Sequence, residues 1–146
     1  MRNVSRSALV PYSAEQMFVL VRDVEHYPAF LPWCHDAVVH VREETLIEAS
    51  LELYRHGVRK RFRTRNRMRP NEWLGIELMN GPFRRLSGGW TFLRLGEHGC
   101  KVRLELEFEF ENRATDMIFG RFFENTCNAL VDSFTRRAAD IYGRDA

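Results

Sequence analysis

From about Ala37 to Glu111 the side chains alternate between apolar and polar, the period of a strand with one buried face. The alternation is clearest at its end. There Val102, Leu104, Leu106, Phe108 and Phe110 share one side while Arg103, Glu105, Glu107, Glu109 and Glu111 share the other. Turn signals at Arg42 to Thr45, His56-Gly57, Pro70-Asn71, Asn80-Gly81-Pro82 and Gly96 to Gly99 divide this stretch into six consecutive antiparallel strands. Upstream, Val4 to Val10 reads as a short strand stopped by Pro11. Ser13 then caps a helix carrying Met17, Phe18, Leu20 and Val21. The next piece, from Asp23 to Trp33, is interrupted by Pro28 and Pro32, which lack a backbone donor and disfavour helix just before them. A second short helix, meeting the first at an angle, is expected.

Beyond Asn112, a capping residue, the period changes. Phe119, Phe122, Phe123, Thr126, Cys127, Leu130, Phe134 and Ile141 fall near i, i+3, i+4 spacing and predict a helix to about Tyr142. Roughly 30 residues of helix span about 45 Å. An apolar stripe of that length needs a large concave partner, which the dry face of a curved antiparallel sheet supplies. The order predicts an α+β helix-grip fold. In it a curved seven-stranded antiparallel sheet wraps around a long C-terminal helix, with two short helices after the first strand, in a single domain over residues 1–146.

The chain's 146 residues suffice for one sizeable core, and a composition 45% hydrophobic and 29% charged is that of a folded globular domain. A formal charge of +2, from 22 basic and 20 acidic residues, implies no DNA partner by itself. Cys34, Cys100 and Cys127 are too scattered for a metal-ligand spacing and suit a reducing compartment. Neither an apolar run near the roughly 18 residues of a membrane span nor a signal-peptide core is evident, so a cytoplasmic location is expected.

Several stretches together carry a family resemblance: Ala8-Leu-Val-Pro-Tyr-Ser-Ala-Glu-Gln-Met17, Asp23-Val-Glu-His-Tyr-Pro-Ala-Phe-Leu-Pro32, Asn80-Gly-Pro-Phe83 and Gly88-Gly-Trp-Thr-Phe92. Thr64-Arg-Asn66, Glu107-Phe-Glu-Phe110 and Phe119-Gly-Arg121 follow in matching order, so the likeness covers essentially the whole chain. It resembles the bacterial ribosome-association toxin and coenzyme-Q-binding family of the START-like (polyketide cyclase/dehydrase, SRPBCC) superfamily. The resemblance implies a cavity between sheet and long helix for an apolar molecule. It also implies two functional labels: binding of ubiquinone or a related isoprenoid lipid in support of respiration, and binding of the large ribosomal subunit so that subunit joining is blocked. A bacterial protein, cytoplasmic or peripheral to the inner membrane, fits both.

On alternation and resemblance together, Phe62, Phe83, Phe92, Leu104, Leu106, Phe108, Phe119, Phe122 and Phe123 are the expected cavity lining. Pro28, Phe30, Leu31, Pro32 and Trp33 either close its mouth as a lid or pack the end of the domain. Thr64 and Asn66 share the inward side of their strand with Val58, Phe62 and Met68. Buried there, they are satisfied by water and neighbours or they bind a ligand's polar head.

On the other side of that strand Arg59, Arg61, Arg63, Arg65, Arg67 and Arg69 stand at about 6.6 Å intervals. Glu48 and Glu52 on the preceding strand are their evident partners, and the surplus positive charge suits ribosomal RNA phosphate or an anionic membrane surface. Catalytic patterns are lacking: the five histidines are scattered, Ser87 lies in no GxSxG elbow, and neither glycine pair forms a phosphate loop. The expected protein is a binding protein, not an enzyme, with no required cofactor or metal. A bound hydrophobic small molecule is its first expected function, and ribosome association the second.

Overall fold

The computed structural model describes residues 1–143, so the expected domain limit at 146 lies outside the described residues. Strand β1 (Arg2–Val10) leads into helix α1 (Ala14–Arg22) and a 3-10 helix (Val24–Ala29). Strands β2 (Cys34–Glu43), β3 (Leu46–Arg55), β4 (Val58–Arg69), β5 (Trp73–Asn80), β6 (Phe83–Leu95) and β7 (Gly99–Phe110) follow, then α2 (Arg113–Asn128) and α3 (Leu130–Tyr142). The strands form one seven-stranded sheet in the order β1-β7-β6-β5-β4-β3-β2. Every neighbouring pair is antiparallel, and the chain's first strand lies beside its last. This is the expected helix-grip architecture.

Local chemistry accounts for the element ends. Ser13 Oγ accepts from the Gln16 amide at 3.1 Å while Gln16 Oε1 accepts from the Ser13 amide at 2.9 Å, a reciprocal cap worth about 1 kcal/mol. Asn112 Oδ1 accepts from the Thr115 amide at 2.8 Å and starts α2. In β6, Gly88 has φ +140°, and a Cβ there would stand 2.0 Å from the Glu105 carbonyl oxygen of β7. Only glycine lets the backbones approach so closely at this bend.

The C-terminal helix differs from the single rod expected, because it is divided at Ala129 (φ −95°, ψ −2°). Just before the break the Thr126 hydroxyl donates to the Phe123 carbonyl at 2.9 Å, competing with the helix's own ladder. Helical bonding resumes at once, with the Ser133 amide donating to the Ala129 carbonyl at 2.9 Å. Ile141, expected on the apolar stripe, is exposed: the buried face of α3 runs through Leu130, Val131, Phe134 and Ala138, and Ile141 lies at its margin. No helix among the described residues is long and apolar enough to cross a membrane.

Candidate functional site

The inward faces of β3 to β7 and the helices enclose a cavity of about 60 Å³. Strands contribute Leu51, Phe62, Thr64, Asn66, Leu74, Ile76, Leu86 and Leu106; Phe123, Cys127, Leu130 and Phe134 close it from α2 and α3; Val24, Tyr27 and Trp33 close it from the segment after α1. The described lining residues include no carboxylate, histidine, lysine or arginine. Two polar atoms nonetheless lack partners: the Trp33 indole Nε1 and Asn66 Oδ1 are buried without a hydrogen bond. Leaving such an atom unsatisfied costs about 1–3 kcal/mol, so each is a standing demand for a complementary group.

Of the lining residues expected from sequence, Trp33, Phe62, Thr64, Asn66, Leu106 and Phe123 are brought together here. The others lie elsewhere, for identifiable reasons. Leu104, Phe108 and Phe119 are fully buried in the core instead of bordering the void. Phe83 stacks on Phe110 at 4.6 Å between ring centres, and Phe92 packs edge-on to Phe18 at 5.7 Å. Phe122, one residue from Phe123 and therefore turned away, is half-buried beneath the Arg55 guanidinium, 4.4 Å from its ring centre.

The segment from Val24 to Trp33 does cover one side of the cavity, but of the five residues expected there only Trp33 lines it, joined by Val24 and Tyr27. Pro28 and Pro32 are exposed and Leu31 is buried away from the void, whereas Tyr27 and Trp33 face it. Phe30 is half-buried and reaches Phe134 of α3 edge-on at 5.2 Å, beside Tyr27, which reaches the same ring at 5.5 Å. Val24 and Tyr27 are three residues apart in the 3-10 helix, whose three-residue turn puts both on one side, facing the cavity. Leu51, Leu74, Ile76 and Leu86 carried no signal beyond their alternation, and Val24 and Tyr27, in the 3-10 helix, carried none. Cys127, Leu130 and Phe134 were marked by their place on the helical stripe.

All three thiols are buried. Burial, and secondarily the charge of Asp36, pushes Cys34 up to about 12; burial also pushes Cys100 up to about 11 and raises Cys127, which lines the cavity. Thiols in that state are poor nucleophiles. Outside the cavity, the ligand atoms of Asp23, Glu25 and His26 lie within 4.8 Å of one another on the surface. His26 Nδ1 already meets Asp23 Oδ2 at 2.7 Å and Glu25 pairs with Arg42, which accounts for the grouping without an ion.

On the outer face of the sheet the arginine ladder of β4 stands as expected, half-exposed to exposed from Arg59 to Arg69. Its charge balance differs from the expectation of two partner glutamates. Arg61 reaches Asp36 at 2.9 Å and Glu52 at 3.1 Å, Arg63 reaches Glu48 at 2.9 Å, and Arg65 reaches Glu48 at 3.2 Å and Glu77 at 4.0 Å. Asp36 comes from β2 and Glu77 from β5, strands that the sequence could not pair with β4 without the register. Arg63 first, then Arg65, holds the Glu48 carboxyl below its ordinary range, and Arg61 does the same for Asp36. The middle of the ladder is therefore neutralised. Among the described residues Arg59, Arg67 and Arg69 have no carboxylate partner; Arg59 lies 5.5 Å from the Tyr54 ring centre.

Residues 10–135 match the model of the family described as polyketide cyclase / dehydrase and lipid transport. The chain belongs to this family. Within the polyketide cyclase / dehydrase and lipid transport family, it is 46% identical over 143 residues to the ribosome association toxin RatA of Vibrio cholerae, covering 98% of this chain and 99% of that one. It is 28% identical over 144 residues to the mitochondrial coenzyme Q-binding protein COQ10 homolog B of Xenopus laevis, covering 96% of this chain and 59% of that one. The family's fold is matched by the crystal structure of TTHA0849 from Thermus thermophilus, with TM-score 0.79 at 20% identity, covering 94% of this chain and 97% of that one. Both labels implied by the sequence resemblance thus occur among the relatives, and neither of the two named relatives carries an enzyme's name.

Proposed function

We propose that this protein is a non-enzymatic cytoplasmic regulator that associates with the large ribosomal subunit through its basic outer sheet face and blocks subunit joining. The observation that carries this reading is the 46% identity over nearly the whole chain to a ribosome association toxin. The surface supports it: Arg59, Arg67 and Arg69 lack carboxylate partners among the described residues, and unpaired guanidinium groups on an exposed strand gain affinity for RNA phosphate by counterion release. Sucrose-gradient cosedimentation with ribosomal subunits at two salt concentrations tests it. Migration with the large subunit that weakens steeply as salt rises is expected; migration free of both subunits contradicts it.

A second reading has its own observation. The unpartnered Trp33 Nε1 and Asn66 Oδ1 in a mostly apolar lining suit an amphipathic ligand, ubiquinone or a similar isoprenoid lipid, whose head would accept from the indole through a ring oxygen and, in its reduced quinol form, donate a hydroxyl to Asn66 Oδ1. At about 60 Å³ the cavity is well below the roughly 300 Å³ at which drug-sized ligands are enclosed. A quinone ring therefore requires the lining side chains to move apart. Organic extraction of the natively purified protein followed by mass spectrometry decides the matter: a stoichiometric isoprenoid supports ligand binding, and an extract without one opposes it. The two readings are compatible, because they use opposite faces of one sheet.

A further inference from the structure

The unpaired end of the arginine ladder adjoins an exposed aromatic ring that neither reading uses. Trp73 opens β5 and is 36% exposed, whereas Trp33 and Trp90 are buried. It faces outward with the ladder, since it pairs in register with Arg69 of β4 on one side and Thr91 of β6 on the other, and Thr91 in turn pairs with Arg103 of β7. Two residues on, Gly75 presents no side chain: a Cβ there would meet the benzene ring of the Trp73 indole, 3.2 Å from Cζ3 and 3.7 Å from Cε3. The indole thus lies over bare backbone. Gly75 is flanked across the strands by Arg67 and Gly89, so the surface beside the ring stays low and is bordered by guanidinium groups.

From this arrangement we infer that Trp73 is a stacking platform for an unpaired RNA base, with Arg67 and Arg69 holding the adjoining phosphates. A ring backed by the main chain offers a flat face to a base, and stacking of this kind tolerates any sequence. A ring laid against the main chain projects little beyond the sheet, which favours a stacked base over insertion into a bilayer. The aliphatic surface a membrane or protein partner would use lies one row away, where Leu93 and Leu9 flank Lys101. Three acids are close: Glu105 is paired with Arg103 at 2.6 Å and Glu77 with Arg65 at 4.0 Å, while Glu72, exposed in the preceding turn, is the negative charge that Arg67 and Arg69 have to outweigh. The inference rests on the ribosome-association reading for its biological setting, and specifies single-stranded ribosomal RNA as the partner.

The test measures binding of a fluorescein-labelled oligouridine by anisotropy at two salt concentrations, for wild type, Trp73→Ala, Trp73→Phe and the Arg67→Gln/Arg69→Gln pair. Loss of one stacked base should weaken Trp73→Ala about tenfold or more while its salt dependence is unchanged. Trp73→Phe should retain most of the affinity. The arginine pair should lower the slope of log affinity against log salt by about 1.4, some 0.7 for each phosphate no longer neutralised. Equal binding by wild type and Trp73→Ala overturns the inference, as does binding of anionic phosphatidylglycerol vesicles or of duplex RNA in preference to oligouridine. Wild type that binds oligouridine through Trp73 but migrates free of ribosomal subunits would support the RNA site and reject the ribosome as its setting.

Discussion

Strand β4 carries two surfaces of opposite character on alternate residues. Its inward side, Phe62, Thr64, Asn66 and Met68, is buried, and the first three border the cavity. Its outward side is a ladder of arginines whose middle members are held by carboxylates from β2, β3 and β5. The difference separates two kinds of energetics. Inward side chains contribute through removal of apolar area and through close packing, which are felt in stability. Outward ion pairs in high dielectric contribute little to stability and more to what the surface attracts. Two functions can therefore occupy one strand and be perturbed independently.

The largest effect should come from the inward side. Phe62 meets Phe83 at 5.3 Å and Phe123 at 6.2 Å between ring centres, so Phe62→Ala should lower unfolding free energy by about 3–5 kcal/mol in denaturant titration. Asn66→Leu should act in the opposite direction. Removing a buried acceptor without a partner should raise stability by about 1–3 kcal/mol, and a loss instead would mean that Asn66 is satisfied in solution, by water or by a bound molecule.

Outward effects should be smaller and dependent on pH. The Glu48 and Asp36 carboxyls are held below their ordinary range by hydrogen bonds from Arg63 and Arg61 respectively. A depressed carboxyl contributes stability above its unfolded pKa, near 4.5 for Glu48 and 3.8 for Asp36, and loses it as pH falls through the lower folded value. Melting temperature should therefore fall below about pH 4.5, and Glu48→Gln should flatten that fall. Smallest of all, Arg61→Gln at neutral pH should change stability by less than about 1 kcal/mol, because Arg61 and Asp36 are both nearly half exposed and their pair is screened, and Glu52, the less exposed partner, keeps His35 at 3.9 Å.

Strand phase was legible because alternation survives wherever one face is wet: Phe62, Thr64, Asn66 and Leu106 point where the pattern puts them. Being inward is not the same as bordering a void, however. Leu104 and Phe108 share a face with Leu106 yet are buried in solid packing, and only the three-dimensional fit of helix to sheet decides which inward side chain meets empty space. The lid segment was legible only at Trp33, because its 3-10 helix, Val24–Ala29, turns Val24 and Tyr27 inward where no alternation marks them. On the outer face the arginines were plain, but Asp36 and Glu77 could be paired with them only through the register of β2 and β5. Trp73 escaped notice for the same reason, because its nearness to Arg69 is a cross-strand relation.

The most direct test of the division between faces is ribosome cosedimentation of three proteins side by side: wild type, Asn66→Leu on the inward face, and Arg67→Gln/Arg69→Gln on the outward face. Comigration of wild type and Asn66→Leu with the large subunit, together with its loss in the arginine pair, is the expected result. Loss in Asn66→Leu with retention in the arginine pair would contradict the account and place control of ribosome association in the cavity.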